Sequence, residues 1–155
     1  MNWDAIGAMG EIVGAFAVVV SLVYLAIQIR RQSNESRAAA MHEIAVGFRE
    51  SIASFSSSEL AELFVKAKTD VELLSEKEKF QLITSSARAL RLWEEAYLVH
   101  EKGRLEEDLW IPIVHQLSAL MDHAGVKYVW KMRKEFYNEK FRKFVDGLET
   151  TDYKI

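Results

Sequence analysis

From Ala5 to Ile29 the chain reads AIGAMGEIVGAFAVVVSLVYLAIQI, with one ionisable side chain, Glu11, and no proline. Few structures accommodate such a run. As a helix rising about 1.5 Å per residue it extends roughly 37 Å, enough to cross a hydrocarbon core of about 30 Å with some tilt. The alternatives are a buried core helix and a cleaved signal peptide. A signal peptide carries its positive residues ahead of a short apolar stretch. Here Met1-Asn2-Trp3-Asp4 has no lysine or arginine, whereas Arg30, Arg31 and Arg37 follow the run. The expectation is therefore a retained transmembrane anchor over 1–31. Lys and Arg within about 15–20 residues of a span mark its cytoplasmic side, so the N-terminus is expected outside and residues 32–150 in the cytoplasm. Trp3 suits an interfacial anchor, and Arg30 and Arg31 can snorkel to lipid phosphates at the other end. Residues 151–155 read as a C-terminal tail.

The span is uneven around its circumference. Gly7, Gly10, Gly14, Ala17 and Ser21 follow one another at steps of three and four, which lines five small residues along one stripe. Tyr24 and Gln28 continue it. Lipid gives apolar helices no hydrophobic reason to associate, so close backbone approach through small residues is what brings them together. The stripe, which contains Gly10-x-x-x-Gly14, is read as an oligomerisation seam. Glu11 flanks it. A carboxylate in hydrocarbon is costly and normally faces a partner, a cavity or the interface. Structural glue across the seam is the first reading of Glu11, and an ion pathway the second.

Beyond Arg31 the periodicity is helical nearly throughout, and no alternating strand pattern occurs. The predicted fold class is all-α: one N-terminal transmembrane helix followed by a small cytoplasmic helical bundle. Met41, Ile44, Ala45, Phe48, Ile52 and Phe55 mark an amphipathic helix over about 35–55, with no breaker between it and the span. Ser56 and Glu59 have capping-box spacing for a short helix with Leu60, Leu63, Phe64 and Ala67 inward. Ser75-x-x-Glu78 opens a longer one over 76–101, with Phe80, Ile83, Ala87, Leu90, Trp93 or Glu94, and Tyr97 inward, and Gly103 past its end. A helix over 106–122 presents Leu109, Ile113, Leu117, Leu120 and Met121, and Pro112 either kinks it or marks its first turn. Two short helices, 126–136 and 139–148, are separated near Asn138.

Signals for chemistry are sparse. Without cysteine there is no disulfide, thiolate metal site or thiol nucleophile. His42, His100, His115 and His123 form no H-x-x-x-H, H-E-x-x-H or Glu-x-x-His pair, so no metal and no cofactor is expected. The phosphate-binding glycine loops and the G-x-S-x-G elbow are missing. Glu94-Glu95 can place one carboxylate inward beside Arg88 or Arg91, where a buried structural ion pair is expected ahead of a catalytic pair. The net charge of -3 makes no case for nucleic acid. One segment does concentrate cations: Lys127, Lys131, Arg133, Lys134, Lys140, Arg142 and Lys143, interleaved with Tyr128, Trp130, Phe136, Tyr137, Phe141 and Phe144. Core aromatics under a solvated cationic face explain it first. Contact with an anionic inner leaflet is the other reading.

The block WDAIGAMGEIVGAFAVVVSLVYLAIQIRR, the stretch LSEKEKFQLI, the tract LRLWEEAYLVHEKGRLEEDLW and the end FYNEKFRKFVD resemble an uncharacterised family of small bacterial membrane proteins. The resemblance implies a single span and a helical domain at the bacterial inner membrane, and it brings no activity or functional residue with it. The chain is accordingly expected to be a non-enzymatic, membrane-anchored homo-oligomer acting as an interaction or scaffold module, with the bilayer and an unidentified protein as partners. An oligomeric pore lined by the span is the alternative, and a lipid-modifying or hydrolytic enzyme comes third.

Overall fold

The computed structural model describes residues 3–151, except the side chains of Ala5 and Ile6, and these residues are all-helical. The expected tail past Thr151 and the first two residues lie outside the described residues. Among the described residues six α-helices follow one another: α1 (Trp3–Phe55), α2 (Ser58–Thr69), α3 (Glu76–Glu101), α4 (Glu107–Asp122), α5 (Ala124–Arg133) and α6 (Glu139–Asp146). Single 3-10 turns cover Val71–Leu73 and Lys134–Phe136. The chain divides into two compact units, one up to Ala39 and one from Ala40.

The first unit is the larger part of α1. Its only described side-chain bonds are local: Ser21 Oγ donates to the Ala17 carbonyl at 2.8 Å, and Gln28 Nε2 to the Tyr24 hydroxyl at 3.0 Å. The helix is long and apolar enough to cross a membrane, and none of that apolar stretch is buried within the chain.

The second unit is built around α3, which touches α2, α4, α5 and α6. Its start is fixed locally. Ser75 Oγ accepts the Glu78 N–H at 3.3 Å, and Glu78 Oε2 accepts the Ser75 N–H at 2.7 Å. Lys66 on α2 reaches the same carboxylate at 2.9 Å. That ammonium, together with Ser75, holds the Glu78 carboxyl down at about 2. At the other end Gly103 adopts φ +65°, the left-handed conformation that ends a helix at little cost for glycine. Asn138 caps α6 through the Lys140 N–H. Most of the core is one cluster that includes Ile44, Leu90, Trp93, Leu117, Trp130 and Phe141. A smaller one joins Leu63, Ala67, Leu74, Leu82 and Val129. Gly125 is required where α5 meets α2, because a Cβ there would stand 2.9 Å from the Ala67 Cβ.

Several local expectations are corrected. The Ser56–Glu59 box does not form: Ser56 Oγ donates back to the Ile52 carbonyl at 3.1 Å, and Ser57 becomes the N-cap with its hydroxyl turned back to the Ser54 carbonyl at 3.2 Å and not capping the helix. Glu59 instead accepts from Gln81 across to α3. The buried stripe of α3 runs Leu82, Ser86, Ala89, Trp93, Ala96, so Phe80 falls outside it and is 68% exposed. On α4 Trp110 takes the inward place expected of Leu109, with its indole stacked on His100 at 4.6 Å. Helix α4 begins before Pro112, which therefore lies inside the helix and not in its first turn.

Candidate functional site

In α1 the small residues Gly7, Gly10, Gly14, Ala17 and Ser21 are all exposed, as are Glu11, Tyr24, Gln28, Arg30 and Arg31. A Cβ added at Gly7, Gly10 or Gly14 would meet nothing within 4 Å. These glycines therefore do nothing for packing within the described chain. Large apolar side chains share that exposure over the rest of the circumference, Phe16 at 70% among them.

The cationic segment is largely neutralised. Lys127 pairs with Asp122 at 3.0 Å, Lys134 with Asp146 at 2.9 Å, Lys140 with Glu101 at 3.6 Å and Lys143 with Glu139 at 2.7 Å. Arg142 pairs with Glu135. The Arg133 guanidinium lies 5.5 Å from the centre of the Phe136 ring, and Lys131 is exposed. Of the interleaved aromatics Trp130, Tyr137 and Phe141 are buried and Tyr128 and Phe144 half-buried, while Phe136 faces solvent. Asp146 is tied further by the Trp130 indole N–H at 2.8 Å, and Lys134 and that indole hold its carboxyl below the usual range.

Of Glu94 and Glu95 it is Glu94 that turns inward, 7% exposed, and pairs with Arg91 at 2.6 Å. Its second oxygen accepts the Asn138 N–H, while Arg91 Nη2 donates to the Phe136 carbonyl at 2.7 Å. The guanidinium also covers the Tyr137 ring at 4.4 Å. Pair and ring together fasten the turn between α5 and α6 onto α3. With both oxygens of Glu94 and both terminal nitrogens of Arg91 so engaged, the arrangement serves as a structural clamp.

The histidines are dispersed. His42 and His115 are exposed, and His100 pairs with Glu107 at 3.0 Å. His123 is buried at the N-terminus of α5. Its Nδ1 accepts the Gly125 N–H at 3.1 Å and its Nε2 lies 2.9 Å from the Phe64 carbonyl. A carbonyl only accepts, so the proton sits on Nε2 and the ring is neutral. Burial lowers its pKa from the ordinary 6.5, helped by Lys68 and opposed by the Phe64 bond and Asp122. Among the described residues no group of three or more His, Asp or Glu stands close enough to hold a metal ion.

One feature has no counterpart in the sequence reading: a cleft of about 410 Å³ in the second unit, between the last turns of α1 and helices α2, α3 and α4. Trp93 and Ala89 lie at its base, and Phe48, Phe55 and Phe64 form its walls. Phe55 and Phe64 meet edge to face at 4.7 Å, Phe48 and Trp93 at 5.0 Å. The Trp93 N–H is engaged with the Ile113 carbonyl at 3.3 Å. Phe48, Ile52 and Phe55 of the apolar stripe predicted over 35–55 line it, and Ile52 ends 63% exposed at its edge.

Fold and site together define, among the described residues, an all-helical protein with one apolar helix long enough to cross a membrane and a helical bundle carrying a largely apolar cleft. No protein-family model, curated protein or solved structure matches it. Function therefore rests on the residues themselves.

Proposed function

We propose that the chain is a non-enzymatic, membrane-anchored homo-oligomer of the bacterial inner membrane, held by α1 with its N-terminus outside, and that the helical bundle is a cytoplasmic interaction module. One observation carries this reading: every described side chain from Gly7 to Ala39 is exposed, although most of the run to Ile29 is apolar. A helix hydrophobic all round belongs in a protein core or a bilayer. This one has no core around it. Exposed apolar surface is unfavourable in water by about 25 cal/mol per Å², and lipid removes that cost for the whole circumference at once. The cations Arg30, Arg31 and Arg37 follow the run and none precedes it, which supports the orientation.

The glycine stripe supports self-association, because it leaves room for a neighbouring backbone that the described chain does not fill. The experiment is cross-linking of the full chain in lipid nanodiscs, comparing wild type with Gly10→Leu and Gly14→Leu. Both substitutions keep the helix apolar and push neighbours apart. Lower-order species in both variants are the expected result, and assembly unchanged from the parent would overturn the seam. Glu11→Gln, which removes the charge and keeps the shape, should leave assembly intact. Cation flux through wild type in liposomes that loses its selectivity in this variant would replace the scaffold by a pore.

A further inference from the structure

We propose that the cleft in the helical bundle binds a single hydrocarbon chain of the kind carried by fatty acids and lipids, a role that goes beyond anchoring and stands without it. The space is the right size. A cavity of about 150 Å³ lined by aliphatic and aromatic side chains takes up a six-carbon ring, so one of about 410 Å³ has room for a chain of roughly sixteen carbons. Ala89 and Ala61 create that room. Along the buried stripe of α3, Leu82 and Trp93 occupy the positions on either side of Ser86 and Ala89, and a larger residue at 89 would close the base.

The lining selects against charge. It contains no aspartate, glutamate, lysine or arginine, so a charged group entering would lose its water without gaining a partner. The polar groups at the base are already engaged within the protein: His123 through both ring nitrogens and Trp93 through its N–H. Ser51, Ser56 and Gln116 add neutral polar groups to the lining, with the Ser56 hydroxyl turned to the Ile52 carbonyl, and most of what remains facing the space is aromatic and aliphatic surface. At the mouth, Ile52 and Val65 are 63% and 57% exposed, so the apolar wall continues out to solvent and a chain can enter lengthwise with its head group left in water.

The test uses the full chain in phosphatidylcholine nanodiscs and two photoactivatable probes, hexadecanoic acid and a phosphatidylcholine, each with the reactive group midway along the chain. Cross-linked peptides are mapped by mass spectrometry. Labelling of the peptides spanning 48–65 and 116–123, removed by excess unlabelled hexadecanoic acid, is the expected result. Ala61→Phe, at an exposed position lining the cleft, should lower this labelling about tenfold by filling the space. Ile52→Glu, at the mouth, should lower it too. Labelling by the free acid alone assigns the site to free fatty acids, and labelling by the phospholipid assigns it to bilayer lipid tails. Three results overturn the proposal: no label in the cleft (as when a second copy of the chain fills it), label that excess acid does not displace, and label unchanged by Ala61→Phe. Label on α1 between residues 7 and 29 reports separately on the anchor, so either reading can fail without the other.

Discussion

Residues 7–29 and the bundle from Ala40 onward are both helical, for opposite physical reasons. In the bundle each helix is amphipathic and ordered by what it buries: Phe141 is fully buried among Tyr97, Trp130, Tyr137 and Phe144. In the N-terminal stretch a helix of equal regularity buries nothing within the chain, and its side-chain bonds run only to its own neighbours. Helices owe most of their stability in water to a packed face. On the proposed reading, this helix, which lacks one, takes its stability from lipid. The teaching of the contrast is that regular secondary structure says little about environment, and the distribution of burial says a great deal.

The largest expected effect separates the regions directly. Phe141→Ala should destabilise the bundle by about 3–5 kcal/mol, through lost burial and the cavity left behind. Phe16→Ala, an equal truncation at a position 70% exposed, should leave the unfolding transition of the bundle in place. Denaturant unfolding followed by near-ultraviolet circular dichroism compares the two. Equal losses would erase the distinction between the regions. Next comes Glu94→Ala, which leaves the Asn138 N–H unpaired and frees Arg91, at a cost of about 1–3 kcal/mol in the same assay. Ser75→Ala should cost about 1 kcal/mol by removing one half of the cap at the start of α3.

The smallest effect is a pH dependence. The folded chain binds a proton at His123 less readily than the unfolded chain, whose histidine titrates near 6.5. The stabilising contribution of the neutral ring is therefore whole above pH 6.5 and is lost as the pH falls from there through the lowered folded value. His123→Asn keeps a capping oxygen for α5 and removes the titration. Between about pH 7.5 and about pH 5 its unfolding midpoint should change less than that of wild type. An identical change in both would place the dependence elsewhere.

What the sequence made legible was local. The limits of α3 follow from Ser75, Glu78 and Gly103, residues whose bonds lie within a few positions of one another. The ion pair of Glu94 with Arg91 spans three residues of one helix and was equally accessible. Long-range choices were not. Ser56 and Glu59 have the spacing of a cap, yet Ser56 serves the end of α1 and Glu59 reaches Gln81, twenty-two positions away. The cationic segment looked strongly basic because three of its partners, Glu101, Asp122 and Asp146, lie outside it in sequence. Periodicity marked Phe80 as inward, but α3 is packed on several sides and its inward direction is set by the neighbours. The cleft was invisible for the same reason, since residues from four helices shape it.

The central claim is that the N-terminal part of α1 is a membrane span, and alkaline carbonate extraction tests it most directly. Membranes from cells expressing the full chain, and from cells expressing it without residues 2–31, are washed at high pH, which strips proteins held only by surface contacts. The account predicts that the full chain stays in the membrane pellet while the shortened chain is released as a folded helical protein. Release of the full chain into the supernatant would contradict it.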